Sequence, residues 1–102
     1  MAEKVRAALT RREVAIRDFF DLDFAVRSGT LDPSRPAFVD LVRRKIEVPE
    51  SEPVDVSLGR SDALRSQLVA RLRPVLRERE YAQFDLERAI ATAHGIARAL
   101  AE

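Results

Sequence analysis

The stretch from Arg12 to Ser28 constrains this chain more than any other. Ile16, Phe19, Phe20, Leu22, Phe24 and Val26 follow one another there with no Pro or Gly between them. On a helix, at about 100° per residue, these side chains cover more than half of the circumference. Such a helix sits at the centre of a core or against another body, because too little of its surface is polar for water. Gly29 supplies the C′ residue that stops it. The rest of the chain must be able to wrap this helix.

The remaining pattern is also helical. Gly is sparse, with 3 residues in 102, whereas Ala, Leu and Arg are abundant. Val5, Ala8 and Leu9 place a first helix over Ala2 to Thr10. After an Asp32-Pro33 turn, Ser34 as N-cap and Pro36 in the first turn open a third helix reaching about Ile46. It would bury Phe38, Leu41, Val42 and Ile46. Ser61 as N-cap opens a fourth, with Leu64, Leu68, Leu72 and Val75 or Leu76 on one stripe, which Pro74 kinks or ends. A last helix runs from about Phe84 or Asp85 to Leu100, and Leu86, Ile90, Ala93, Ala97 and Leu100 form its packing seam. The expected fold is all-α, a small bundle of four to five helices in a single domain spanning residues 1–102.

The net charge of +1 hides an uneven distribution. Residues 1–46 hold ten basic and seven acidic residues, 47–59 hold four acidic and no basic ones, and 60–102 hold eight basic and six acidic ones. An acidic linker with Pro49 and Pro53 thus divides N-terminal helices (1–46) from C-terminal helices (60–102). This balance excludes a polybasic nucleic-acid arm or an acidic tail as the main theme. Without Cys and with one His, disulfides, thiolate sites and multi-histidine metal sites are excluded, and no metal ligands are assigned. No run approaches the ~18 apolar residues a membrane span needs, and Met1-Ala2-Glu3-Lys4 has no apolar signal region, so the expectation is a cytoplasmic protein.

The chemistry-bearing residues cluster near the start. Asp18 and Asp21 are three apart and share a helix face, and Arg17 pairs with Asp21 four residues on. Two readings fit this polar face: an ion-pair cluster with Lys4 or Arg6, and a ligand site. Two carboxylates fall short of the oxygen ligands that a hard cation takes.

Ala2-Glu3-Lys4-Val5-Arg6-Ala7 and Ile16-Arg17-Asp18-Phe19-Phe20-Asp21-Leu22, in this order and ahead of a phenylalanine-rich helix, carry a resemblance. The chain resembles the C-terminal helical part of the AbiEii/AbiGii-type nucleotidyltransferase toxins. These are abortive-infection, type IV toxin–antitoxin enzymes of the DNA polymerase β-like superfamily. The family pattern is approximately Glu-x-x-x-Ala-x-Lys-x-x-Ala, then (Ala/Ser)-Arg-Asp-x-x-Asp-Leu opening a helix, with Ile16 here replacing the small residue. The resemblance implies transfer of a nucleotide from a nucleoside triphosphate, with Mg²⁺, in some members onto tRNA. It puts Lys4 and Asp18 at the family's functional lysine and aspartate, with Arg17 and Asp21 as substrate-binding residues.

One departure stands out. The family's Gly-Ser loop with its downstream Ser-Asp-x-Asp-like pair is not found in these 102 residues. In such enzymes those carboxylates hold the Mg²⁺ that neutralises the triphosphate. The expectation is therefore a C-terminal helical subdomain or remnant, inactive alone and without a cofactor of its own. Its catalytic roles would be conditional on a missing half. The apolar face of the first two helices would be exposed, ready for a homodimer, a catalytic half or an antitoxin.

Two other readings remain. Arg88 and His94 are spaced like the Arg-x(4–6)-His motif of HEPN ribonucleases, a pair able to stabilise a phosphorane and shuttle a proton. With 16 arginines such a spacing also arises by chance. Arg60, Arg65, Arg71, Arg73, Arg77 and Arg79 crowd the fourth helix, and a stand-alone protein- or RNA-interaction module could use them on phosphates.

Overall fold

The computed structural model describes residues 1–48 and 52–102; Pro49, Glu50 and Ser51 of the acidic linker lie outside the described residues. The described chain is all-α, with no strand. Its helices are α1 (Ala2–Thr10), α2 (Ile16–Arg27), α3 (Pro36–Ile46), α4 (Leu58–Gln67), α5 (Glu78–Gln83) and α6 (Leu86–Leu100). The short α5 is the one that periodicity misses, because six residues show too little of a stripe.

Local chemistry sets the helix ends. Gly29 has φ of 76°. Its N–H donates to the carbonyl of Val26, and the Thr30 N–H donates back to Ala25. This is a Schellman termination of α2. Two starts differ from expectation for one reason. Asp32 accepts from the backbone N–H and the hydroxyl of Ser34 at 3.0 and 2.6 Å, so Ser34 belongs to an Asx turn and Arg35 takes the N-cap position. Asp55 likewise accepts from the Ser57 N–H at 2.9 Å, and α4 starts at Leu58 with Ser57 as N-cap. Ser61 is buried inside that helix, not capping it, and the linker ends two residues earlier than its composition suggests. These hydrogen bonds to Ser34 and Ser57 hold the Asp32 and Asp55 carboxyls below the usual range.

α2 takes the centre, packing on α1, on α6 and on the turn that follows α4, whereas α3, expected to pack on it together with the last helix, lies mainly on α1 and α6. Val5, Ala8 and Leu9 of α1, Ile16, Phe19, Phe20 and Leu22 of α2, and Leu86, Ala89, Ile90, Ala93 and Ile96 of α6 form one cluster. Leu41 was expected inside, but α3 meets α1 and α6 through Val39 and Val42, and Leu41 is turned out to solvent. Val75 is also exposed, and Leu76 is half-buried in its place. The apolar face expected open on the first two helices is mostly closed by this packing; what stays outside is Phe24, together with Met1.

The stripe Leu64, Leu68, Leu72 does not follow a straight helix. At about 100° per residue, eight residues separate Leu64 from Leu72 by about 80°. Yet Leu64 is 2% and Leu72 1% exposed. The chain reconciles the two with a π-helical turn over Leu68–Leu72, in which the Arg73 N–H donates to the carbonyl of Leu68 five residues back. Pro74, which has no N–H to donate, then ends the helix in a short 3₁₀ segment, Arg73–Val75.

Candidate functional site

On α1 the core takes Val5, Ala8 and Leu9, which leaves Lys4 one step around the helix at the α2 boundary. On α2, Arg17 and Asp21 lie one turn apart. The Nζ of Lys4 is 3.1 Å from Asp21 Oδ2, and Arg17 Nε is 3.4 Å from Asp21 Oδ1. The structure thus brings Lys4, Arg17 and Asp21 together, with Asp21 between two cations. Arg6, the other cation offered for this face, pairs with Glu3 on its own helix. Pairs exposed like these are worth only ~0–1 kcal/mol, so a phosphate can exchange for Asp21 at little cost.

Asp18 is different. It is 4% exposed, and its Oδ2 is buried with no hydrogen-bond partner. Arg11 Nε lies 3.6 Å away, beyond hydrogen-bond range. Burial pushes the carboxyl above the usual range, with Asp21 adding to the rise, against the pull of Arg11, Lys4 and Arg60. An orphaned buried acceptor of this kind is rare in folded proteins and is concentrated at functional sites. Arg11 and Arg60 were not anticipated in this role. The guanidinium of Arg60 donates to the carbonyls of Ala8 and Arg11, closing the C-terminal end of α1. The Asp55 N–H donates to the carbonyl of Leu9 at 2.8 Å.

Beside Lys4 and Asp21 opens a groove of about 450 Å³ lined by Arg17, Phe20, Phe24 and Glu80 among others. A second groove of about 530 Å³ runs along α4 past Arg12, Arg60, Gln67 and Arg71. Much of its polar chemistry is already engaged. Arg12 pairs with Glu52, and Arg60 holds α1. The side chain of Gln67 accepts from the Ile16 N–H and donates to the Val14 carbonyl, both at 2.8 Å, clamping the start of α2. Of the other arginines on this flank, Arg65 is bound to Glu87 and Asp62, and Arg73 lies over the Tyr81 ring.

Arg88 and His94 are not brought together. Six residues turn a helix by about 240°, which puts them on different faces. Arg88 makes two bonds, of 2.7 and 3.0 Å, to Asp23, a carboxylate only 1% exposed that Arg27 also approaches at 3.2 Å. His94 instead lines a small cavity with Arg60, Ser61 and Leu64. The Asp23–Arg88 pair was missed because 65 residues separate the partners. A signal was present: Asp23 sits between Leu22 and Phe24 on a helix too apolar to leave an acid unpartnered.

The donor set does not fit a magnesium ion. Both Asp21 oxygens face cations, Asp18 Oδ2 is buried beside Arg11, and among the described residues no group of three or more His, Cys, Asp or Glu could hold a metal. Nor, among these residues, is any helix long and apolar enough to cross a membrane.

No curated protein and no solved structure matches the chain. A family model, that of the nucleotidyl transferase AbiEii toxin of the type IV toxin–antitoxin system, matches residues 1–87. The matched stretch holds Lys4, Arg17, Asp18 and Asp21 and ends before Arg88 and His94. With most of its length in this match, the chain belongs to the AbiEii nucleotidyl transferase toxin family.

Proposed function

We propose that the chain is the C-terminal helical subdomain of an AbiEii-like nucleotidyl transfer site and is inactive alone. The observation that carries this is the convergence of Lys4, Arg17 and Asp21 at an open groove, with the buried carboxylate of Asp18, whose Oδ2 accepts no hydrogen bond, one turn back from Asp21 on α2. In transfer, an acceptor hydroxyl oxygen bonds to the α-phosphorus of a nucleoside triphosphate. The bond to the bridging oxygen breaks, and pyrophosphate leaves with the electron pair. Asp18 takes the hydroxyl proton once docking of the catalytic half uncovers its Oδ2, which is buried beside Arg11 in the chain by itself. Lys4 and Arg17 leave Asp21 for the phosphate oxygens, Lys4 as a point charge and Arg17 as a planar fork. Asp21 keeps both aimed while the site is empty.

The triphosphate and its magnesium would be held by a Gly-Ser-type half outside these residues. Membership of a type IV toxin–antitoxin family points to an antitoxin as a partner. The test is transfer of labelled nucleoside triphosphates onto bulk tRNA, by this chain alone and with a Gly-Ser-type catalytic half supplied in trans. The expected result is no transfer alone, transfer in trans, and its loss in Lys4→Ala and Asp18→Asn. Robust transfer by the chain alone overturns the inactivity, and transfer in trans that ignores both variants overturns the site.

A further inference from the structure

The connection between α1 and α2, Arg11 to Ala15, is held from α4 and the residues just before it. The Arg60 guanidinium donates to the carbonyls of Ala8 and Arg11, and the Asp55 N–H donates to that of Leu9 at 2.8 Å. The Gln67 side chain clamps Val14 and Ile16 at the other end. The Arg11 N–H adds a bond of 3.0 Å to the Ala7 carbonyl. The backbone that carries Arg11 is therefore fixed, but its side chain is not. That side chain is 51% exposed, and among the described residues its polar contact is the approach of Nε to Asp18 Oδ2 at 3.6 Å. A contact of that length, made half in water, is weak.

Four charged groups face Asp18: Lys4 from α1, Asp21 from its own helix, Arg60 from α4 and Arg11 from the connection. Three of them are committed elsewhere, Lys4 and Asp21 to each other and Arg60 to the carbonyls of α1. Of the four, Arg11 is the one that can leave by turning its side chain, with no hydrogen bond broken. Charge gives this movement a direction. A triphosphate arriving with a catalytic half is a far denser anion than one carboxylate and draws the guanidinium to itself. Asp18 then loses a neighbouring cation, so its affinity for a proton rises as its oxygen is uncovered.

We infer that Arg11 is a positioning residue that covers Asp18 in the chain by itself and swings off it when the triphosphate-loaded catalytic half docks, so that the base is bared only in the assembled site. The inference rests on the proposed function and adds to it the part that moves.

The experiment compares wild type, Arg11→Ala and Arg11→Lys as full chains. Access to Asp18 is read by carbodiimide-driven coupling of glycinamide, located by peptide mass spectrometry. Its titration is read by carboxyl ¹³C NMR, with Asp18→Asn for assignment. Arg11→Ala should couple about ten-fold faster and titrate at higher pH than wild type, and Arg11→Lys, which keeps the charge, should restore most of both. Wild-type coupling in Arg11→Ala overturns the cover. So does coupling as fast in Arg11→Lys as in Arg11→Ala, which is what a loosened fold would give. With the catalytic half saturating in trans, the acidic limb of the pH profile should coincide for Arg11→Ala and wild type, because the guanidinium is off Asp18 in both. A displaced limb overturns the swing, since Arg11 would then lie on Asp18 during transfer. Transfer in trans that needs Asp18, with coupling indifferent to Arg11, removes this inference and leaves the proposed function standing. Coupling and titration as expected, with no transfer in trans by wild type, do the reverse.

Discussion

Replacing Asp18 by Asn should make the protein more stable at neutral pH. The carboxylate is 4% exposed, its Oδ2 accepts no hydrogen bond, and Arg11 stops 3.6 Å short of it. Leaving a buried polar group unsatisfied costs about 1–3 kcal/mol, and the attraction of Arg11 and Lys4 returns part of that. Asn keeps the shape and removes the charge, so a gain of about 1 kcal/mol is expected, or roughly 4–8 °C in Tm for a domain of this size. The pH dependence follows from linkage. Burial raises the native carboxyl above its unfolded value, so the native state binds the extra proton and wild-type stability falls as pH rises between the two. Below the ordinary carboxylate range the carboxyl is protonated in both the native and the unfolded state, and wild type and Asp18→Asn should melt alike. The gap opens as pH rises from the unfolded value to the native one and is constant above the native one. Urea and thermal unfolding followed by far-ultraviolet circular dichroism, both proteins side by side across this range, measures the difference with all other titrations cancelled. A variant less stable than wild type at neutral pH, or a gap that does not change with pH, refutes the reasoning. A stability gain paired with loss of transfer is what a strained functional residue produces.

Two further changes test the frame that holds the site. Arg88→Met strands the buried Asp23 with Arg27 as its remaining partner and should lower stability by about 2–3 kcal/mol in urea titrations, with part recovered when Asp23→Asn is added. Gln67→Ala removes both bonds of the clamp and should cost about 1–2 kcal/mol, with hydrogen exchange at the Ile16 amide accelerated more than elsewhere in α2.

Much of the fold is legible because its signals are local. Helical spacing marks five of the helices, Gly29 marks the end of α2, and Pro74 marks the end of the helical run begun at α4. The Asp-x-Ser pairs Asp32/Ser34 and Asp55/Ser57 also carry a local signal, but it concerns the turn before the helix and shifts the cap by a few residues. The Lys4–Asp21–Arg17 cluster is half legible. The Arg17–Asp21 spacing lies within one helix, whereas the arrival of Lys4 depends on how α1 packs. What sequence does not show is non-local: the clamp from Gln67 to Val14 and Ile16, the Asp23–Arg88 pair, and the isolation of Asp18 among Arg11 and Arg60. The exposure of Phe24 belongs here too. The width of the apolar face showed that something had to stay outside the core, but not which residue.

The π-helical turn at Leu68–Leu72 has a consequence for the length of this chain. A turn of this type is an α-helix holding one residue more than its register needs. Val69 and Ala70 within it are exposed, while Leu64 and Leu72 on either side are buried. Deleting one of the exposed pair would leave Leu64 and Leu72 seven residues apart, within about 20° of one another on an ordinary helix. The segment is therefore a point where the protein can shorten by one residue and keep its core. A residue removed from the middle of α2 has no such outlet, since every apolar side chain beyond it would rotate by about 100°.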